Sequence, residues 1–181
     1  GLDAAALGDR IVVSPSMDHL ERSFNPSKYR EVPAEPMLEI SLASVRDNSL
    51  APSGRHVLSA VVQFLPYVEG EAANAPLRAQ ALRNALAVLE QYAPGIGALV
   101  EHAELLMPWD LEQAHGMKGG HWHHAAMGFD QFYFIRPLPG AAQHCTPLAG
   151  LYLCGAGCHP GGGVMGIAGR NAARQVLEGS H

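Results

Sequence analysis

The sequence predicts a mixed α/β fold of the α+β kind, in which helices cover an antiparallel sheet. Residues 37–43 and 56–65 alternate between apolar and polar side chains, as strands with one buried face do. Residues 77–92 repeat leucine at the spacing of an amphipathic helix. Because a polar loop joins the two strand-like segments, we expect them to be antiparallel neighbours.

The elements before these strands are short. Residues 9–13 form an apolar segment that ends just before Pro15. Ser16 is suited to the N-cap of a helix that runs to about Arg22, because its hydroxyl can accept a hydrogen bond from the first turn. Residues 25–27, Asn-Pro-Ser, are expected to break or restart this helix.

The clearest helix is predicted over residues 77–92, with Pro76 at its first turn. Its expected core stripe consists of Leu82, Leu86 and Leu89 beside Ala81, Ala85 and Val88. Beyond it the pattern predicts a strand over residues 99–107, a short helix over 108–113 and a loop over 113–120.

A glycine-rich run follows a short apolar segment near the end of the sequence. Residues 151–154 are too few for a helix and suit a strand buried on both faces. The next glycines let another group approach the main chain; they are Gly155, Gly157, Gly161, Gly162 and Gly163. Apolar residues then recur at helical spacing, so a helix is expected to start near Gly163. Its N–H groups would attract phosphate or developing negative charge; the alternative is a plain turn between a core strand and a core helix.

Three histidines flank Trp122, at His121, His123 and His124. On a strand, His121 and His123 would share one face and His124 would lie on the other. The cluster can form the wall of an active site in which an imidazole exchanges protons near neutral pH. It can equally be a packed loop. Its spacing matches none of the usual zinc patterns, so we assign no metal.

Residues 130–137 form an aromatic stretch in which Arg136 stands before a proline. On an extended segment Phe132 and Phe134 would face one way, and packing in a core accounts for them. Arg136 can pair with Asp130 at the surface, or it can hold an anionic group of a substrate or cofactor in its planar fork.

Composition narrows the class of protein. With 48% hydrophobic and 16% charged residues, the chain can bury one core. Its net charge of -5, with scattered Lys and Arg, argues against nucleic-acid binding. No apolar stretch approaches the roughly 20 residues that span a bilayer, and no signal peptide is recognisable, so we expect a cytoplasmic protein without a transmembrane segment. Three cysteines predict packed thiols rather than a disulfide framework.

Residues 150–166, GLYLCGAGCHPGGGVMG, resemble the C-terminal flavin-binding segment of the phytoene-dehydrogenase-like FAD-dependent oxidoreductases. Within that family they are most similar to the group typified by pyridine nucleotide-disulfide oxidoreductase domain-containing protein 2. The similarity takes in most of the chain and is most specific in its C-terminal part. Its further motifs lie at residues 14–16, 56–59, 119–124, 130–131 and 134–137.

The resemblance implies an antiparallel substrate domain over residues 1–118. Residues 119–181 would supply the closing strand and helix of a Rossmann-like FAD-binding domain. The dinucleotide fingerprint of such enzymes, a strand with G-x-G-x-x-G and a helix, is missing near the N-terminus. We therefore expect the C-terminal part of a larger enzyme, without its N-terminal FAD-binding half and with only a partial site for FAD.

The resemblance also implies roles for individual residues. Gly155 and Ala156 would lie near the phosphate and ribityl chain of FAD, and His159 and Pro160 would shape the turn. Gly162 belongs to the same cofactor site. The main-chain N–H groups that would face the flavin ring, where negative charge develops, are those of Gly163, Val164 and Met165. The catalytic candidates are His121, His123, His124 and Arg136.

The predicted function is hydride transfer from a small organic substrate to FAD, by an oxidoreductase of the dehydrogenase or desaturase type. An alternative is a non-catalytic interaction module, or one half of a split enzyme, that binds a partner chain carrying the missing FAD-binding half. The substrate, the electron acceptor, homo-oligomerisation and the activity of the isolated chain all stay open.

Overall fold

The computed structural model describes residues 7–124, 126–162 and 165–179. The chain forms two compact units, Gly1–Met107 and Pro108–His181. The mixed helix and strand composition of the first unit agrees with the predicted fold class. The division into a substrate domain and a flavin-binding segment concerns function and stays a prediction.

The first unit is built on a three-stranded antiparallel sheet in the order β1, β2, β3. The strands are β1 (Ile11–Val13), β2 (Leu38–Ser41) and β3 (Ser59–Val62). Ile40 of β2 lies opposite both Ile11 and Ala60, which sets the register across the sheet. The predicted antiparallel pairing of the two alternating segments is therefore confirmed. Strands β2 and β3 are both shorter than the alternating segments that predict them.

Helix α1 (Met17–Phe24) begins as its cap predicts. The Ser16 hydroxyl accepts a hydrogen bond of 3.0 Å from the His19 amide. The chain then tightens into a 3-10 turn over Asn25–Tyr29, which ends at Arg30 in the left-handed region. Proline at the start of that turn removes an N–H donor, which explains why the α-helix does not continue.

Helix α2 spans Glu71–Tyr92 and so starts well before the predicted residue 77. The buried Asn74 side chain donates to the carbonyl of Gly70 at 2.8 Å and also to that of Val68, which holds the added first turn. Pro76 consequently lies inside the helix, not at its first turn. A proline so close to the start removes only one hydrogen bond of the helix.

One face of α2 builds the core of the first unit. Ala85, Val88 and Leu89 pack with Val13 and Leu38 from the sheet. A second cluster surrounds Ala81 and consists of Val32, Leu105 and Met107. The predicted stripe is confirmed in its small residues and Leu89, while Leu82 and Leu86 are only partly buried at its edges.

The strand predicted over residues 99–107 is wrong. The chain there forms a 3-10 turn, Ile96–Leu99, followed by an extended segment without a strand partner among the described residues. Leu105 and Met107 are buried while Leu106 between them is half exposed. Leu105 and Met107 thus bury alternate side chains in the second cluster without strand pairing.

The second unit contains helices α3 (Pro108–His115) and α4 (Ile167–Gly179). The short helix predicted from residue 108 is confirmed and runs two residues beyond its expected end at 113. Between the helices the chain makes 3-10 turns at Lys118–Gly120, Phe129–Gln131 and Tyr133–Ile135. In the part of the chain that is described, no helix is both long and apolar enough to cross a membrane.

The strand predicted over residues 151–154 is also wrong. A single antiparallel bridge joins Tyr152 to Cys145, and Leu151 is 49% exposed. A buried strand needs paired neighbours on both edges, and the described residues provide only this bridge. The thiols are correspondingly less packed than expected: Cys145 and Cys154 are exposed and only Cys158 is buried.

The last helix starts later than its sequence pattern suggests. Helix α4 begins at Ile167, directly after Gly166, whose φ of 65° does not fit an α-helix. The predicted start at Gly163 is therefore not the observed one. Gly163 and Val164 lie outside the described residues.

Candidate functional site

The histidine segment and the glycine turn, separate clusters in the sequence, lie against each other in the second unit. A methyl group placed on Gly162 would overlap the ring of His123. A methyl on Gly157 would lie 3.7 Å from Cβ of His124, and one on Gly161 would lie 3.2 Å from Cε of Met127. Glycine is therefore required for close packing at Gly162, where a larger residue would push the His123 ring away, whereas the distance at Gly157 is an ordinary van der Waals contact.

The histidine segment is a turn and not a strand, so the sharing of faces that a strand would impose does not apply. The His124 amide donates to the carbonyl of His121 at 2.8 Å, and His124 has a φ of 57°. The turn follows Gly120, whose φ is 66°. A methyl group placed on Gly120 would lie 2.6 Å from the carbonyl carbon of Pro108. This close approach to the start of α3 fixes where the histidines begin.

The turn brings two imidazoles together and leaves the third outside. The ring centroids of His121 and His123 lie 5.6 Å apart and both residues are partly buried, whereas His124 is exposed. The His123 amide donates to Nδ1 of His121 at 3.2 Å. The neutral His121 ring is therefore assigned its proton on Nε2.

Burial lowers the pKa of His121, and the nearby positive charges of His123 and Arg136 lower it further. At neutral pH this imidazole is uncharged and can donate a hydrogen bond from Nε2. Because Nδ1 is already engaged, His121 is better suited to donation than to proton uptake.

Arg136 is completely buried, so the alternative of a surface pair with Asp130 is wrong. Its Nε and Nη2 donate to the carbonyl of Ala156 at 3.2 and 3.0 Å, and Nη2 also donates to the carbonyl of His123. Its Nη1 donates to Oε1 of Gln131 at 3.4 Å. All of these acceptors are neutral, so the charge is hydrogen-bonded but has no carboxylate counterpart in the described part of the chain.

The glycine turn consists of two consecutive reversals. The Cys158 amide donates to the Gly155 carbonyl at 3.0 Å, and the Gly161 amide donates to the Cys158 carbonyl at 2.7 Å. Burial raises the pKa of the Cys158 thiol. Ala156 and His159 are partly buried and Pro160 is exposed. A methyl on Gly155 would meet nothing within 4 Å, so the turn is open at that point.

Exposed aromatic rings border this assembly. Trp122 stands edge-on to His123 with ring centroids 6.1 Å apart, and Phe129 lies 6.1 Å from Phe132. Phe134 is 74% exposed, and Phe132 is also exposed, so the expectation that both pack in a core is wrong. The short 3-10 turns around them replace the extended segment that would have buried one face.

Three of the predicted cofactor residues follow the glycine turn in the sequence. Gly163 and Val164 lie outside the described residues, and Met165 is 72% exposed. Within the described ranges, no group of three or more His, Cys, Asp or Glu residues is arranged to hold a metal ion.

His144 is a buried polar residue that lies outside every motif of the sequence. Its Nδ1 donates to the carbonyl of Leu153 at 2.9 Å, and the Leu153 amide donates back to the His144 carbonyl at 2.8 Å. Its Nε2 is buried without a partner among the described residues. A single histidine outside any motif carries no sequence signal, so only the fold reveals it.

Comparison of the sequence with known proteins identifies relatives of this chain. No protein-family model matches the chain. Pyridine nucleotide-disulfide oxidoreductase domain-containing protein 2 of Rattus norvegicus is 42% identical over 163 residues, which cover 87% of this chain and 28% of the rat protein. This chain is a homologue of that protein. The resemblance carried by the glycine-rich motif and the histidine segment is thereby confirmed.

The similarity to pyridine nucleotide-disulfide oxidoreductase domain-containing protein 2 holds equally for the Mus musculus protein, at 42% identity over 160 residues. A 4,4'-diapolycopen-4-al dehydrogenase of Metabacillus indicus is 31% identical over 136 residues, which cover 75% of this chain and 26% of the dehydrogenase. The chain spans 28% of the length of the rat and mouse relatives.

Proposed function

We propose that this chain is the flavin-binding C-terminal part of an FAD-dependent oxidoreductase, which removes a hydride from a small organic substrate. The observation that carries the proposal is the open glycine turn, which lies against a pair of imidazoles and a buried guanidinium in a homologue of oxidoreductases. A turn without side chains admits a large planar or phosphorylated group close to the main chain.

The residues present suit an FAD group in two respects. The space at Gly155 is free of other atoms of the chain, so the phosphate or ribityl part of FAD can approach Gly155 and Ala156. The charge on Arg136 lies behind the same turn and has only neutral acceptors, so it favours a bound group that is anionic or becomes so. His159 and Pro160 would shape this turn.

Bound FAD would accept the hydride of the substrate. The main-chain N–H groups of Gly163, Val164 and Met165 would stabilise the charge that develops at the ring, as the family resemblance implies. His121, neutral with its proton on Nε2, would donate a hydrogen bond to a carbonyl of the bound group. Because His121 would donate this hydrogen bond, His123 would be the imidazole that exchanges protons with the substrate. The exposed His124 would contact only the outer part of the substrate.

The proposal is tested by Gly155→Ala, because the added methyl meets nothing in the chain itself. FAD affinity should fall by tenfold or more, about 1.4 kcal/mol, while the midpoint of thermal unfolding stays unchanged. Affinity is measured by fluorescence titration with FAD, on the chain and on the complete product of its gene. The matched control is Gly169→Ala in α4, where the nearest atom to the new methyl is the Cys154 carbonyl oxygen at 4.0 Å.

Gly169→Ala should leave FAD affinity intact and should not lower stability, because alanine is favoured over glycine inside a helix. Equal FAD affinity in Gly155→Ala and the unaltered protein would contradict the assignment of this turn to the cofactor.

A second candidate is a module that acts only with a partner carrying the other FAD-binding half. Exposed apolar residues on α4 favour it, since Val176 is 47% exposed and Leu177 is 84% exposed. An absorption spectrum of the purified chain separates the two candidates. A chain that shows flavin absorption without a partner supports the first candidate. A colourless chain that turns yellow only with a dinucleotide-binding partner indicates a split enzyme, and one that stays colourless with it indicates a non-catalytic module.

A further inference from the structure

Arg136 connects three separate segments of the second unit. Its guanidinium reaches the main chain of the histidine segment at His123, the main chain of the glycine turn at Ala156, and the side chain of Gln131. Its aliphatic stem lies beneath the turn, since a methyl on Gly161 would be 3.9 Å from Cδ of Arg136. No solvent reaches the side chain.

We infer that Arg136 is a positioning residue, which fixes the histidine pair against the glycine turn by joining the carbonyls of His123 and Ala156. In addition, it keeps a permanent positive charge beside His121. The inference deepens the proposed function, because it explains how an imidazole is kept neutral and in place at the turn assigned to FAD.

Only arginine has the geometry for this connection. Its rigid planar fork presents several N–H donors in fixed directions, whereas the ammonium of lysine is a compact point charge on a flexible stem. Two donors of Arg136, Nε and Nη2, converge on the Ala156 carbonyl, and Nη2 also serves His123. Loss of the fork would leave these buried acceptors without their donor, which is unfavourable.

Gln131 holds the guanidinium from the other side. Its Oε1 accepts from Nη1 of Arg136, and its Nε2 donates to the carbonyl of Pro137 at 3.3 Å. The amide thus ties the guanidinium to the segment that carries it. Since its acceptors are neutral, the charge on Arg136 remains effective on its surroundings.

The effect on His121 distinguishes this role from mere packing. The charges that face His121 are those of His123 and Arg136, and both lower its pKa together with burial. Removing the charge of Arg136 should raise the pKa of His121. Replacing the planar guanidinium by another positive charge should leave this pKa low. Both changes should loosen the turn.

The experiment compares Arg136→Gln and Arg136→Lys in the full chain, with the exposed Arg174→Gln and Arg174→Lys as controls. NMR titration of the imidazoles gives the midpoint of His121, and hydrogen exchange gives the protection of the amides of Cys158 and Gly161. In Arg136→Gln the midpoint of His121 should move up and both amides should exchange at least tenfold faster. In Arg136→Lys the midpoint should stay low while the same amides exchange faster.

Unchanged exchange at Cys158 and Gly161 in Arg136→Lys would overturn the inference, even if Arg136→Gln does not fold. An unchanged midpoint of His121 in a folded Arg136→Gln variant would overturn it as well. None of these readouts requires flavin. If the complete product of the gene binds no FAD yet the readouts respond as expected, the proposed function fails and the positioning role of Arg136 stands.

Discussion

At the scale of single residues, the second unit buries a charged side chain and a polar one. Arg136 is fully buried with only neutral acceptors, and the buried His144 has one nitrogen without a partner in the described structure. Buried polar groups of this kind weaken a fold unless their hydrogen bonds are complete. The burial of the Arg136 charge beneath the glycine turn lowers stability, and its role in holding the two turns together for binding explains its presence there.

The lowered pKa of His121 makes the stability of the chain depend on pH. The unfolded imidazole takes up a proton near its ordinary pKa of 6.5, whereas the folded one resists protonation until lower pH. The contribution of His121 is therefore fully present above pH 6.5 and is lost as the pH falls through its folded pKa. Urea unfolding at pH 7.5 and 5.5 should show a smaller loss of stability for His121→Gln than for the unaltered chain.

The control for this experiment is His102→Gln, at an exposed position in the first unit. It should keep the full pH dependence of the unaltered chain. Identical loss of stability on acidification in His121→Gln and His102→Gln would show that His121 does not titrate differently in the folded chain.

At the scale of elements, the close contact between the histidine turn and the glycine turn decides what sequence is allowed at either. Neither turn has a regular partner strand among the described residues, so each is held mainly by contact with the other and by Arg136. A side chain added on one turn must displace the other, because the packing leaves no gap between Gly162 and His123.

Gly162→Ala tests this contact directly. The new methyl would occupy the position of the His123 ring, so the variant should be destabilised by about 1 to 3 kcal/mol, measured by urea unfolding. Removing the ring should relieve the clash, so the double variant Gly162→Ala with His123→Ala should show a coupling energy between the two sites. Strictly additive free energies of unfolding would contradict the contact. Gly155→Ala, whose methyl meets nothing within 4 Å, is the matched control.

At the scale of the whole molecule, local patterns predicted local elements well and predicted contacts poorly. Helix α2 and the antiparallel strands β2 and β3 follow from hydrophobic periodicity within each segment. The strand expected at residues 151–154 depends on partners outside the segment, and only one bridge forms among the described residues. The start of α2 depends on the Asn74 side chain, which no periodicity reveals.

The candidate site was predicted as a set of residues but not as an arrangement. Its motifs named the histidines, Arg136 and the glycine turn separately. Their assembly depends on the burial of one guanidinium and on the fit of the His123 ring against Gly162. Such contacts are set by the path of the chain in three dimensions, whereas sequence spacing records only distance along it.

The bonds of Arg136 also bear on how the site comes together during folding. Its partners lie 13 residues away at His123, 5 away at Gln131 and 20 away at Ala156. The entropy lost in closing loops this short is small, and contacts between near neighbours in sequence form quickly. The assembly should therefore be among the early structures of the second unit, and its residues can be inherited together as one contiguous stretch of sequence.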